Sequence, residues 1–339
     1  MGAGSNFNWK SMNETACEFN EHLNESIFTL QRIAVLIPCY NEEVAVASVV
    51  QDFRLALPTA EIFVFDNNST DRTMDVAKLS GATVRSVPLQ GKGNVVRRMF
   101  ADVDADVYVM VDGDNTYDAT VAPRLINKLL TEGLDMVVGV RVTKEQKAYR
   151  FGHRLGNAVL TRFVAFLFGR TFTDMLSGYR VFSRRYVKSF PAQSRGFETE
   201  TELAIHALQL RMPVAELNTT YGSRVQGSSS KLNTYRDGFR ILVTIVRLFK
   251  SEKPLTFFSF GFFFCSLIAI LLALPLFETY YETGLVPRYP TAVLCSALML
   301  FGVILLTCGI VLNTVTKGRT EAKRFAYLVH PAPATKNPN

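Results

Sequence analysis

Three short polar clusters stand directly after apolar runs, and their residue types set the available chemistry. Asp112-Gly113-Asp114 follows Val107–Val111. Two carboxylates this close can hold a Mg2+ or Mn2+ ion that keeps open positions for diphosphate oxygens, although an isolated Asp-Gly pair more often just makes a turn. Asp66 follows Ile62–Phe65 and suits hydrogen bonding to a base or ribose, or else the capping of a following helix. Pro38-Cys39-Tyr40-Asn41-Glu42 follows Ile33–Ile37, and Met136–Val140 ends at Arg141. Gly91-Lys92-Gly93-Asn94 can set a cation and backbone amides near phosphates. It lacks the spacing of either common glycine-rich nucleotide motif, and such a run more often makes a simple turn.

These clusters need a scaffold that brings separate strand ends to one place. Short apolar runs (the four above and Thr83–Val87) alternate with amphipathic stretches at Glu43–Leu57, Asp71–Leu79, Gly93–Ala101 and Thr120–Leu130. That alternation predicts an α/β fold with a mainly parallel sheet covered by helices. Ligands of such sheets bind beyond the carboxyl ends of the strands, where the acids, amides and cation fall.

The rest of the chain predicts a membrane anchor. Between Pro254 and Thr316 the only charges are Glu278, Glu282 and Arg288. Residues 254–277 and 289–316 are uncharged runs of 24 and 28 residues, each long enough as a helix to cross a hydrocarbon core of ~30 Å. Arg247, Lys250 and Lys253 precede the first run and Lys317, Arg319, Lys323 and Arg324 follow the second, while the loop holds only Arg288. The positive-inside rule then puts both termini on the cytoplasmic side of the plasma or inner membrane. Ahead of the hairpin, Phe239, Leu242, Ile245, Val246 and Phe249 recur at helical spacing beside Arg236, Arg240, Arg247 and Lys250, as in a helix lying in the headgroup plane. The expected domains are an N-terminal extension 1–31, a catalytic domain 32–235, a juxtamembrane helix 236–253, the hairpin 254–316 and a basic tail 317–339.

Residues 1–31 carry a net charge of −3 and lack the apolar core of a secretory signal. The chain as a whole is +7; with a membrane segment present, that excess points to anionic lipid or phosphorylated substrates rather than nucleic acid. The five cysteines (17, 39, 265, 295 and 308) show no redox or metal spacing, and the four histidines are scattered. This predicts a reducing compartment and argues against a zinc site.

In order along the chain, Pro-Cys-Tyr-Asn-Glu (38–42), Asp-Asn-Asn-Ser-Thr-Asp (66–71), Asp-Gly-Asp (112–114), Gly-Val-Arg (139–141), Asp-Met-Leu-Ser-Gly-Tyr-Arg (174–180), Gly-Phe-Glu-Thr-Glu (196–200) and Arg-Val-Gln-Gly-Ser-Ser-Ser-Lys-Leu (224–232) resemble the family-2 glycosyltransferases of the GT-A fold. More narrowly, the sequence is similar to the polyprenyl-phosphate sugar transferases, such as dolichol-phosphate mannose and glucose synthases. The resemblance implies that Pro38, Tyr40, Glu42 and Asp66 hold the nucleoside, with Asn68, Lys92 and Gly113 alongside. It implies that Asp112 and Asp114, with Thr116, bind the metal, and that Arg224 and Lys231 meet the donor diphosphate. Arg141, with Arg154 or Arg180, is implied to hold the acceptor phosphate, and Asp174 and Ser177 match acidic and hydroxyl positions beside it. The family's usual Asp-Asp pair is here Asp66-Asn67, one carboxylate instead of two.

The implied reaction moves a hexose, glucose or mannose, from a UDP- or GDP-sugar to polyprenyl phosphate. A phosphate with a second pKa of about 6 is largely an oxyanion near neutrality. It can attack the anomeric carbon without a strong base, so Asp112, Asp114, Asp174 and Arg224 would act by alignment and charge stabilisation, with inversion at that carbon. Asp174 is assigned an orienting role, base catalysis being the alternative. Other acceptors for a family-2 membrane enzyme, or a non-catalytic nucleotide-binding scaffold, are the competing functions. A processive polysaccharide synthase is excluded on its Gln-x-x-Arg-Trp motif, because the one tryptophan is Trp9. No Gly-x-Gly-x-x-Gly follows the first strand, against a Rossmann dehydrogenase, and the spans lack the ionisable residues of a transporter path. Gly302 and Gly309 are small residues available for helix contacts, leaving a homo-oligomer open.

Overall fold

In the computed structural model the described residues are 31–142, 162–166, 169, 172–194, 196, 198–222, 243–244 and 246–333. The chain divides into two compact units. One comprises Met1–Asn157, Thr171–Lys231 and Phe325–Asn339, the other Ala158–Arg170 and Leu232–Arg324.

The first unit is built on a seven-stranded sheet of β1 (Ile33–Cys39), β2 (Glu61–Asp66), β3 (Thr83–Ser86), β4 (Val107–Met110), β5 (Met136–Val142), β6 (Arg180–Ser183) and β7 (Val214–Thr220), in the order β3-β2-β1-β4-β6-β5-β7. β3, β2, β1 and β4 pair in parallel, as do β5 and β7; β6 alone runs antiparallel, to both β4 and β5. The helices are α1 (Val46–Ala56), α2 (Thr73–Leu79), α3 (Lys92–Asp102), α4 (Ala122–Thr131), α5 (Arg184–Ser189) and α6 (Thr199–Leu210). The apolar runs of the sequence thus form strands and the amphipathic stretches form helices, as a parallel sheet covered on both faces requires. β1 is buried almost throughout. One of its faces, with Val35 and Ile37, joins the core formed with Val49, Phe53, Leu125 and Leu129 of α1 and α4.

Because β6 reverses direction, its first residue lies at the same sheet edge as the last residues of the other strands. Arg180 pairs with Met110 of β4 and Val138 of β5. The loop feeding β6, from Asp174 to Gly178, is therefore delivered to the edge that carries Asp66, Asp112 and Arg141. At the opposite end of β5, buried Asp135 accepts from Ser183 Oγ at 2.7 Å, from both Nε and Nη2 of Arg185 and from the Tyr327 hydroxyl at 2.8 Å.

Two helices are long and apolar enough to cross a membrane: α7 (Pro254–Thr283), in the second unit, and α8 (Tyr289–Leu328), which belongs to the second unit as far as Arg324. Gly302 and Gly309 are buried against α7: a Cβ at Gly302 would approach the Phe262 ring, and one at Gly309 would come within 2.9 Å of Phe258 Cβ. The small residues thus serve packing within the hairpin. α8 does not stop at Thr316; the basic segment expected as a tail continues the helix to Leu328, since 319–328 hold no helix breaker before Pro331. Of the juxtamembrane segment, residues 236–242 and 245 lie outside the described residues, and 243–244 and 246–252 are helical.

Candidate active site at the carboxyl edge of the sheet

The loops after β1, β2 and β4 share one device. Asn41, Asn68 and Asn115 adopt left-handed backbone conformations, with φ of 54°, 62° and 57°. Asparagine is among the few side-chain-bearing residues that tolerate this region, and it lets each chain turn sharply as it leaves the sheet. The loops are also tied to one another. Asn41 N donates to Ser69 Oγ at 2.9 Å and Thr70 N donates to Asn41 Oδ1 at 2.8 Å, while Glu42 N reaches Thr73 Oγ1 at 2.8 Å.

Asp66 is 1% exposed. Its Oδ2 accepts from Ser69 N at 3.0 Å, and its Oδ1 is buried with no hydrogen-bond partner among the described residues. Tyr40, Glu42 and Pro38 are half-buried at this edge and Asn68 is exposed. Neighbouring Asn67 is a clamp: its Nδ2 donates to Val87 O at 3.1 Å and Leu89 O at 2.8 Å, and its Oδ1 accepts from Gly91 N at 2.7 Å. A carboxylate at 67 could make only the last of these bonds, which accounts for the Asp-Asn pair in physical terms.

The clamp sets the start of α3, and so Lys92. Lys92 Nζ lies 2.5 Å from Asp112 Oδ1 and 2.5 Å from Glu200 Oε1. Burial alone would lower its pKa, but the charges of Asp112 and Glu200 outweigh burial and hold the ammonium protonated well above its ordinary value. Asp112 is further confined by glycines: a Cβ on Gly178 would collide with its carboxylate. Gly113 in turn allows Cys39 to approach, since a Cβ there would fall 2.5 Å from Cys39 Sγ. Burial, with the nearby carboxylates of Glu42, Asp66, Asp112 and Asp114, pushes that thiol's pKa up. Asp114 is buried, and its Oδ1 accepts from Thr116 Oγ1 at 2.6 Å.

The donor set of Asp112, Asp114 and Thr116 is all oxygen. Among the described residues no three His, Cys, Asp or Glu side chains converge on one point. Such a set fits a hard divalent ion that takes most of its shell from phosphates and water, as Mg2+ and Mn2+ do, and does not fit zinc.

On the far side of β4, Arg141 Nε and Nη2 grip the two carboxylate oxygens of Asp174 at 2.6 and 2.7 Å, and the guanidinium lies 5.6 Å from the Tyr221 ring centroid. Glu216 braces the same loop, accepting from Thr173 N at 2.7 Å. Ser177 and Arg180 are interior. Ser177 Oγ donates to Gly139 O at 2.6 Å, and Arg180, 0% exposed, directs its Nε and Nη2 to the carbonyls of Ser177 and Met175. Burial pulls the Arg180 guanidinium below its ordinary pKa. These two side chains shape the 174–178 loop, and no open surface separates them from the core. Arg154, Arg224 and Lys231 lie outside the described residues.

Asn67, Glu200, Gly178 and Glu216 enter the site without a role foreseen in the sequence. The recurrence of asparagine soon after three strand ends was a readable sign of the shared turn, and Gly-Phe-Glu-Thr-Glu (196–200) was visible as a motif without an assignment.

Residues 34–190 match the sequence profile of Glycosyl transferase family 2. Glycosyltransferase AglJ of Haloferax volcanii is 35% identical over 305 residues, covering 88% of this chain and 99% of AglJ. The dolichyl-phosphate hexose transferase of the same organism is 31% identical over 228 residues, 67% of this chain and 97% of that protein. A crystal structure of glucosyl-3-phosphoglycerate synthase from Mycobacterium tuberculosis, in complex with Mn2+ and UDP-glucose, is similar with a TM-score of 0.55 and 25% identity, covering 68% of this chain and 82% of that one. With its carboxylates, amides and cations gathered at the edge of a GT-A sheet, the chain belongs to glycosyl transferase family 2.

Proposed function

We propose that this glycosyltransferase moves a single hexose from a nucleotide diphosphate sugar to polyprenyl phosphate at a membrane surface. The observation that carries the reading is the joining of two kinds of site in one chain. Asp66, Asp112 and Asp114 stand at the carboxyl edge of the sheet, and two apolar helices of 30 and 40 residues follow in the chain. The similarity to a dolichyl-phosphate hexose transferase supports a lipid acceptor. In this reading Asp66, with Pro38, Tyr40, Glu42 and Asn68, holds the nucleoside. Asp112, Asp114 and Thr116 hold a divalent ion, which when bound supplies charge neutralisation for the departing nucleoside diphosphate. Arg224 and Lys231 add cations to that leaving group, and Lys92 keeps Asp112 in place.

Arg141, fixed by Asp174, meets the acceptor phosphate together with Arg154. Asp174 is an orienting group, because both of its oxygens are already committed to the guanidinium. The acceptor oxyanion then attacks the anomeric carbon in line, forming the new sugar–phosphate bond as the bond to the nucleoside diphosphate breaks, and the configuration inverts. The apolar helices, with both termini cytoplasmic, hold the chain at the membrane that carries the lipid acceptor.

The test pairs membranes containing the full chain with labelled UDP- and GDP-hexoses, offering polyprenyl phosphate and, separately, a water-soluble phosphorylated acceptor. Label that enters the lipid fraction only with polyprenyl phosphate is expected. Transfer to the soluble acceptor alone would refute the lipid reading.

A further inference from the structure

Tyr117 stands just beyond the Asp112-Gly113-Asp114 turn and holds neither substrate nor metal in the proposed reaction. Its side chain is buried, and its hydroxyl accepts a hydrogen bond from Gly178 N at 2.9 Å. The bond joins two loops of different origin: residues 112–117 leave β4, and residues 174–178 enter β6. A buried backbone N–H requires an acceptor, and here a side chain carried by the Asp112–Asp114 loop supplies it. Gly178 is also the residue whose missing Cβ leaves room for the Asp112 carboxylate. The phenol therefore fixes the entering loop where it presses on Asp112.

The ring is held on both sides. It packs edge-on against Tyr179, with centroids 5.4 Å apart, and against Tyr221, at 5.2 Å. Its backbone is tied down as well. Tyr117 bridges Tyr221 in antiparallel fashion, and Gly222 N donates to Thr116 O at 2.9 Å. Tyr221 in turn carries the Arg141 guanidinium 5.6 Å from its ring centroid. An aromatic stack thus runs from the loop of Asp112 and Asp114 to the Arg141–Asp174 pair, and its hydroxyl acts as a spacer of fixed length.

Lys92 holds Asp112, and Asp174 holds Arg141; each pair belongs to one substrate's half of the site. The bond from Gly178 N to Tyr117 Oη spans the two halves. We propose that Tyr117 is a positioning residue, its hydroxyl setting the separation between the donor diphosphate and the acceptor phosphate. The inference rests on the reading of the site as one for a nucleotide diphosphate hexose and a phosphate acceptor. Removing the hydroxyl leaves each half-site built but loosens their alignment, so turnover falls while binding is kept.

The experiment compares the purified full-length protein with Tyr117→Phe and Tyr179→Phe. Tyr179 belongs to the same stack, and its buried hydroxyl has no hydrogen-bond partner among the described residues, so Tyr179→Phe alters the stack without touching the bond between the loops. Initial rates are taken with nucleotide hexose and polyprenyl phosphate each varied, and are counted per nucleoside diphosphate site titrated in Mn2+. Tyr117→Phe should lower kcat per site by about tenfold or more, with both KM values within about twofold of wild type. Tyr179→Phe should keep kcat within about twofold. Wild-type kcat in Tyr117→Phe, an equal fall in both variants, or a loss of titrated sites that accounts for the whole fall in rate would overturn the inference and leave the glycosyl-transfer reading standing. A wild type that binds the nucleotide hexose but transfers none of it to polyprenyl phosphate would overturn both.

Discussion

Asn67 Oδ1 accepts from Gly91 N at 2.7 Å, joining the end of β2 to the loop that launches α3. Through this bond, and two more from Asn67 Nδ2 to Val87 O and Leu89 O, the residue beside Asp66 sets where α3, and with it Lys92, begins. Changing it to the family's usual acid is therefore harmful here. Asn67→Asp leaves two carbonyls facing a carboxylate, and should destabilise the catalytic unit by about 1–3 kcal/mol. Thermal unfolding of the detergent-purified protein checks this, with a lower Tm than wild type as the expected outcome.

Gly178→Ala should cut transfer severely without unfolding the protein. Its Cβ would occupy the space of the Asp112 carboxylate, and Asp112 can yield only by leaving its place beside Lys92. Gly318→Ala is the control, since a Cβ there meets nothing within 4 Å. Activity assays with both variants, alongside circular dichroism, separate the two effects.

The strands were legible because β1, β2, β4 and β5 are uninterrupted apolar runs, and the acids after them marked the ligand edge. β6 was not. It is four residues long, begins with the fully buried Arg180, and runs against its neighbours, a direction that local sequence does not encode. That reversal explains why Arg180, readable as a cation after a turn, is interior, with its guanidinium on backbone carbonyls. β7 has a partly buried, edge-strand pattern that gives a weak periodic signal. Partnerships across long separations, Arg141 with Asp174 or Lys92 with Glu200, arise from topology and appear only once the strand order is known.

Arg141→Lys should raise the KM for polyprenyl phosphate more than that for the nucleotide sugar. A lysine cannot make the two parallel bonds to Asp174. Losing a charged hydrogen bond of about 1.5–3 kcal/mol corresponds to about a 10- to 100-fold fall in kcat/KM for the acceptor. Initial rates with each substrate varied in turn give the comparison.

Asp114→Asn should weaken Mn2+ binding, read by the loss of free-ion signal in electron paramagnetic resonance titrations. Transfer should fall by at least about a hundredfold, in keeping with the several kcal/mol that such an ion contributes. Wild-type Mn2+ affinity in the variant would remove Asp114 from the metal site.

The most direct measurement of the central claim is mass spectrometry with anomeric NMR of the lipid product made by the full-length protein from a nucleotide hexose and polyprenyl phosphate. The predicted product is polyprenyl phosphate carrying one hexose, with the anomeric configuration opposite to that of the donor. A lipid of unchanged mass, a product with several sugars, or retention of configuration would contradict the account.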